Sequence, residues 1–398
     1  MRCRAVVAAL AAAAVCASGA AASLQSSLES ALRVPHISLA ATGAVALDLS
    51  TGQTVFERNG ALPLIPASNE KLAVTYAAVT ALGPGFTIET TVLGAGTQTG
   101  SVWQGDVVLK GYGDPTLSSA DLVDLARQIR AAGIATVTGR ILADESWFDT
   151  RRTALGWKPS FYIVESPPLS ALIVDRGRVG RSTSADPALA AAQEFRSALA
   201  RVGVRVAGGA AHGNAAESAA PLAAVDSPPI TRIVQWMDRV SDNFVAEMLV
   251  KELGAVQAGR GTTAAGVGVV SGLLQQAGVP MGGVRLVDGS GLSLLDRLTP
   301  NALVSLLSAM WQDLEIRLEL LSSLPVAGRT GTLAYRMRAG PATGVVRAKT
   351  GTTSNASALS GFVGDRYVFS VLQNGFPVSF TWARVAQDRF AAVLAASQ

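Results

Sequence analysis

Cysteine is nearly absent from this 398-residue chain: Cys3 and Cys16 are the only two, and both fall within residues 1–22. That stretch, MRCRAVVAALAAAAVCASGAAA, sets Arg2 and Arg4 before an unbroken small and apolar run, with small residues at Ala20 and Ala22. It reads as a secretory signal peptide, residues 1–22, cut after Ala22. Val15 stands where a lipoprotein needs a small residue before Cys16, so simple cleavage is expected and the protein is expected in the periplasm or cell envelope. The mature chain then has no cysteine, which excludes disulfides and a thiol nucleophile and leaves its stability to a core that its length can supply. Histidine occurs only at His36 and His212, which argues against a zinc site and gives a Ser/His/Asp triad little to work with. No metal or cofactor is expected. Beyond residue 22 no run is long and apolar enough to span a bilayer. Removing two arginines from a net charge of +4 leaves a weak positive balance without a basic block, so nucleic acid binding has no support. Lysine is confined to Lys71, Lys110, Lys158, Lys251 and Lys349. In an arginine-rich background these matter, because burial can strip lysine of its proton and arginine keeps its own.

In chain order, SLQSSLESALR reads as a short amphipathic helix, and GAVALDL and TVFERN as a hairpin about Ser50-Thr51-Gly52. Residues 68–82 form an almost wholly apolar helix, bracketed by Pro66, Glu70 and Gly83-Pro84-Gly85, which predicts burial. From residue 86 strands and one helix alternate with glycine turns, which predicts a small α/β unit inserted at 86–184. The amphipathic helix at 185–205 is expected to return the chain to the first unit, and the Gly/Ala/Asn-rich 208–222 to be loop. Helices then flank Ser241, follow at TTAAGVGVVSGLLQQAG, and open at Thr299-Pro300. Three strands (GVVRAKT, ALSGFVG, RYVFSVLQN) and a covering helix, SFTWARVAQDRFAAVLAAS, close the chain. The expected division is 23–85 and 185–398 for the main domain, around the insert.

Three elements carry the chemistry: Ser68-x-x-Lys71, Ser241-Asp242-Asn243 and Lys349-Thr350-Gly351. Separately they read as a helix start, a helix-capping loop and a strand-to-turn exit. In this order, each in a fitting context, they are the signature of class A β-lactamases and penicillin-binding proteins. Positions i and i+3 share a helix face, so Lys71 can take the proton of Ser68 if burial and the nearby charge of Lys349 hold it neutral. Ser241 can relay that proton to a leaving amine, and Asn243 can hold Lys71 or a substrate amide. Lys349 can pair with a substrate carboxylate, while the edge strand Thr350-Gly351-Thr352 receives the substrate backbone. The backbone N–H groups of Ser68 and Thr352 are the expected oxyanion donors. Arg329-Thr330-Gly331-Thr332 imitates the third motif but lacks an alternating strand before it, and is taken as a nearby structural turn.

PASNEKL, GYGDPTL, SPPITRIVQWMDRVSDNFVAE, DGSGLS and AKTGTTSNASALSGF together resemble the type-4, class C penicillin-binding proteins, the serine D-Ala-D-Ala carboxypeptidase/endopeptidase family. The resemblance covers most of the mature chain. It implies an α/β, β-lactamase/transpeptidase-like fold, an antiparallel sheet flanked by helices and interrupted by an inserted α/β domain. It also implies action on peptidoglycan stem peptides and inhibition by β-lactam antibiotics. Asp144 and Glu145 fall where inserted-domain acids approach the substrate side chain in such enzymes, and could pair with a free amine; a solvated turn is the competing reading. Asp288 and Ser290 are expected to shape a loop near the site. The insert is shorter than in larger members, Arg329 stands where a non-basic residue is usual, and the turn after Gly351 is more polar. A β-lactamase using the same residues, or a non-catalytic peptidoglycan-binding protein with a relic site, are the alternatives.

Overall fold

A computed structural model of the protein describes residues 22–398, so the expected signal peptide lies outside the described residues save for its last position. Helix α1 (22–32) precedes the hairpin β1 (Thr42–Asp48) and β2 (Gln53–Arg58). A 3₁₀ turn, Ala67–Glu70, feeds α2 (Lys71–Leu82). Next come β3 (Glu89–Thr99), β4 (Val102–Gly111), α3 (Ser119–Ala131), β5 (Thr136–Val137), β6 (Ile141–Asp144), β7 (Arg178–Val179), β8 (Ser182–Thr183), α4 (Pro187–Arg201), β9 (Arg205–Val206), β10 (Ala210–His212) and β11 (Ala220–Asp226). The chain ends with α5 (Ile230–Val240), α6 (Asn243–Ala258), α7 (Thr263–Gln276), α8 (Pro300–Gln312), α9 (Leu314–Ser323), β12 (Val346–Thr353), β13 (Ala356–Val363), β14 (Tyr367–Asn374) and α10 (Phe380–Ala396).

Five strands form the main sheet in the order β12-β13-β14-β1-β2, every pairing antiparallel. Alternation along each strand sends side chains to opposite faces. Ala44, Ala46, Leu359, Phe369 and Val371 pack under α1 and α10, against Leu28, Leu32, Phe390 and Leu394. Val45, Ala358, Phe362, Val368 and Leu372 face the other way, onto a helical layer that includes α2, α5, α6 and α8. Helices therefore cover both faces; in this unit the hairpin, the three C-terminal strands and the covering helix fall where the sequence predicts them, and α9 is an addition.

The insert departs from expectation at its C-terminal end. Helix α4 does not return the chain to the main unit: Ala188, Ala192, Phe195 and Leu199 join the core that Val107 and Leu109 of β4 and Leu122 and Ile129 of α3 build. The residues expected to be loop supply β10, parallel to β6, and β11, antiparallel to β3. Sheet order β10-β6-β4-β3-β11 closes this unit near Asp226, well past residue 184. The apolar face of α4 is buried, as its periodicity predicts. Periodicity names a buried face without naming its partner, and short Ala-rich strands carry little β signal. Phe195, fully buried here, gives a direct check. Phe195→Ala is expected to cost the insert about 3–5 kcal/mol, read by urea unfolding.

Candidate active site

Ser68 lies in the tight turn that enters α2, and Lys71 is the first residue of that helix. Lys71 is fully buried and Ser68 half-buried. The Lys71 Nζ sits 2.9 Å from Ser68 Oγ, 2.8 Å from Asn243 Oδ1 and 2.6 Å from the Ser290 carbonyl oxygen. Asn243 Nδ2 donates to the Glu165 carbonyl at 3.0 Å, which turns Oδ1 toward the lysine. Burial pushes the Lys71 amine down to about 8, against the pull of Asp288, Glu247, Asp242 and Asp238.

The second motif forms the corner between α5 and α6. Ser241 ends α5 in the left-handed conformation (φ 61°, ψ 46°), and Asp242 caps α6 by accepting from Val245 N at 3.1 Å. The triplet caps a helix and also places Ser241 and Asn243 beside the two lysines. A non-glycine residue in that region is strained, and Arg176 holds the corner with two bonds to Asp242, at 2.7 and 3.0 Å. Lys349 Nζ meets Ser241 Oγ at 2.8 Å. Burial and then the charge of Lys71 push this second amine down to about 7, with Asp238 opposing. Burial is the first cause for both amines, and the repulsion between the two lysines disfavours charging both at once.

Strand β12 is an edge strand. Its start is covered by Ala327 N donating to Val346 O and Ala348 N donating to Pro325 O. Beyond Lys349 this covering stops, and Thr350-Gly351-Thr352 follow, with Thr352 exposed. A Cβ on Gly351 would stand 2.8 Å from Pro66 O and 3.1 Å from Ala67 Cβ, so glycine lets the strand lie against the Ser68 turn. The expected oxyanion donors, the N–H groups of Ser68 and Thr352, thus belong to segments in contact. Asn69 Nδ2 adds a 3.0 Å bond to the Lys349 carbonyl. Arg329 is exposed in its turn, and the imitation motif meets the site at Thr332, whose Oγ1 is 2.7 Å from Thr350 Oγ1.

Asp144 and Glu145 are not brought to this cluster. Asp144 is fully buried in β6, its oxygens accepting from Ser146 N at 2.9 Å and Ala215 N at 2.8 Å, with Lys110 Nζ 3.6 Å away. Glu145 is gripped by both guanidinium nitrogens of Arg152, at 2.5 and 2.7 Å, and by Ser170 Oγ. Neither carboxylate is left for a substrate amine. Instead, residues 157–165 span the motif-bearing elements. Trp157 Nε1 donates to Asp288 at 2.7 Å, Lys158 Nζ to Ser354 Oγ at 2.9 Å, and the Glu165 carbonyl receives Asn243. Sequence reasoning missed this segment, although Lys158 was among the few lysines. It also missed Asp238, fully buried, bonded to Thr75 and Ser323 at 2.7 and 3.0 Å, and pushed up to about 6 by burial against the pull of Lys349 and Lys71.

Gly291 approaches the backbone of the Ser68 turn too closely for any other residue. Its φ is +77°, and a Cβ there would lie 2.0 Å from Ala67 O and 3.2 Å from Ser68 N. Gly291→Ala is expected to shift the Ser68 turn and slow acylation by penicillin about 100-fold, the scale of a 1 Å misplacement. Stopped-flow labelling checks this, with circular dichroism showing the fold retained.

A serine and a buried lysine under an edge strand, with a second serine and lysine alongside, is the arrangement of serine enzymes of the penicillin-binding type. The chain is 33% identical to the D-alanyl-D-alanine carboxypeptidase of Actinomadura sp. (strain R39), over 88% of this chain and 81% of that protein. It is 33% identical to carboxypeptidase DacB of Mycolicibacterium smegmatis, over 93% and 83% respectively. Its fold matches the crystal structure of penicillin-binding protein 4 from Haemophilus influenzae with a TM-score of 0.82 and 22% identity, over 94% of this chain and 98% of that one. The family model of the D-Ala-D-Ala carboxypeptidase 3 (S13) family matches residues 24–185 and 180–397. The chain belongs to that family.

Proposed function

We propose that the protein is an exported serine DD-peptidase that hydrolyses D-Ala-D-Ala, or D-Ala-linked cross-bridge bonds, of peptidoglycan stem peptides through a Ser68 acyl-enzyme, and that β-lactams acylate the same serine. The reading is carried by the surroundings of Lys71. A neutral amine has two N–H bonds and one lone pair. Asn243 Oδ1 and the Ser290 carbonyl can only accept, so they take the two hydrogens and leave the lone pair for the Ser68 hydroxyl.

Ser68 Oγ attacks the D-Ala carbonyl as its proton passes to Lys71, and the oxyanion faces the N–H groups of Ser68 and Thr352. The C–N bond then breaks as Ser241, linked to Lys349, gives its hydroxyl proton to the departing amine and takes up the one held by Lys71. Water hydrolyses the ester and restores Ser68. Lys349 and the open edge of β12 hold the substrate's carboxylate and backbone. Export rests on residues 1–22. Among the described residues no helix is long and apolar enough to cross a membrane.

Intact mass after benzylpenicillin exposure is expected to show one covalent adduct, absent in Ser68→Ala, and pentapeptide or cross-linked muropeptide is expected to be cleaved. An unchanged adduct in Ser68→Ala would sink the assignment. Rapid penicillin turnover would make the enzyme a β-lactamase, and binding without cleavage would make it a non-catalytic peptidoglycan-binding protein.

A further inference from the structure

Behind the catalytic lysine lies a group of acids that the mechanism does not use. Glu70, Glu247, Asp288 and Asp296 are all at most 2% exposed. Carboxylate oxygens of Glu70, Asp288 and Asp296 lie within 4.8 Å of one another. Among the described residues, none of the four takes part in an ion pair with lysine, arginine or histidine. Asp288 is fully engaged, accepting from Gly291 N, Ser293 N, Trp157 Nε1 and Ser290 Oγ. The others are not. No donor reaches either oxygen of Glu70, the second oxygen of Glu247 or the second oxygen of Asp296. The donors in the loop are already committed: Val287 N to the first oxygen of Asp296, Gly289 N and Ser290 N to the first oxygen of Glu247.

Buried carboxylates at this spacing repel one another and cannot all stay ionised alone. Something positive must neutralise them, either protons or a cation. Several oxygens turned on one small volume, with their donors committed elsewhere, match what a hard cation requires. Ca²⁺ takes six to eight oxygens at about 2.3–2.6 Å, so opposite ligands stand about 4.8 Å apart. Mg²⁺ dehydrates reluctantly and keeps several waters, which an enclosed cluster accommodates poorly. The scarcity of histidine and cysteine that argues against zinc has no bearing on an all-oxygen site.

We propose that Glu70, Asp288 and Asp296, with Glu247 beside them, form an enclosed Ca²⁺ site. It ties the turn entering α2, helix α6 and the 288–293 loop into one unit. The Ser290 carbonyl that receives Lys71 lies between two peptide N–H groups held by these acids, Ser290 N on Glu247 and Gly291 N on Asp288. A cation there fixes the position of that carbonyl and, through it, of the lysine. Loading the site displaces whatever protons these carboxyls hold.

The test uses the mature full chain and the metal alone, with no substrate. After dialysis against Ca²⁺ and then metal-free buffer, native mass spectrometry and elemental analysis are expected to find about one Ca²⁺ per wild-type chain. Saturating Ca²⁺ is expected to raise Tm by about 2–5 °C over the chelated protein. Glu70→Gln and, should that variant fold poorly, Asp296→Asn are expected to lose both the ion and the shift. Wild-type protein that holds no Ca²⁺ at millimolar concentration, with a Tm indifferent to Ca²⁺ and chelator, overturns the proposal. So does full Ca²⁺ occupancy in Glu70→Gln. Infrared bands of protonated carboxyls that persist in Ca²⁺ and vanish in Glu70→Gln would assign the cluster to protons instead. None of these readouts involves peptidase activity, so failure here leaves the DD-peptidase reading standing.

Discussion

Replacing Lys71 by methionine is expected to slow penicillin acylation of Ser68 by about 10²–10⁴-fold, the usual worth of a positioned general base. The variant keeps nearly the length of the side chain but loses the lone pair that faces Ser68 Oγ across 2.9 Å. Arginine at this position would not rescue, because it stays charged. The same argument fixes a pH profile. Lys71 is pushed from an ordinary 10.5 to about 8 by burial, and only its neutral form can accept the proton, so wild-type acylation should rise as pH increases through about 8. A flat profile with full activity well below pH 7 would exclude Lys71 as the base. The linked stability effect has the opposite sign to that of an ordinary paired lysine. The folded pKa lies below the unfolded one, so between about 8 and 10.5 the unfolded chain binds more protons and stability rises with pH. Urea unfolding across that window should show the rise in wild type and a smaller one in Lys71→Met.

The candidate cluster is legible because its residues are written in short local patterns. Ser68 and Lys71 are three residues apart, and Ser241 with Asn243 needs only the corner between two periodic helices. Lysine scarcity draws attention to the residue type but cannot sort the members. Lys71, Lys251 and Lys349 are all fully buried, yet Lys251 is paired with Asp149 and bonded to the Arg151 carbonyl, a structural role that no local pattern announces. Glu70 illustrates the same limit. In the sequence it marks the first turn of a helix, while in the fold it is buried against Asp288 and Asp296, more than 200 positions away. Asp144 and Glu145 failed for a related reason. Two adjacent acids look available until Lys110, Ala215, Arg152 and Ser170 are folded around them. Residues 157–165 carry no periodicity, and only their bonds to Asp288, Asn243 and Ser354 give them a place beside the site.

Lys349→Met is expected to weaken the turnover of carboxylate-bearing substrates by about 30–5000-fold in kcat/KM, the range for losing one partner of a buried, hydrogen-bonded charge pair. The expectation follows from position. Lys349 is fully buried under the open edge of β12, and Ser241 Oγ and the Thr350 carbonyl, at 2.8 and 3.2 Å, are the acceptors recorded for its ammonium. Neither is an anion, and Asp238, whose charge pulls on it, is bonded instead to Thr75 and Ser323. Such an ammonium is costly to keep, which is why burial and Lys71 press it down to about 7. An arriving carboxylate supplies the missing counter-charge and favours the charged form. Substrate binding should therefore weaken as pH rises above about 7, appearing as an increase in KM that Lys349→Met abolishes. Because Lys71 helps to depress Lys349, Lys71→Met should move that KM increase to higher pH. A substrate with its terminal carboxylate amidated separates charge pairing from packing. It should be handled almost equally by wild type and Lys349→Met if Lys349 acts by charge, and a large difference between the two enzymes on the amide would mean that the lysine serves chiefly to position Ser241.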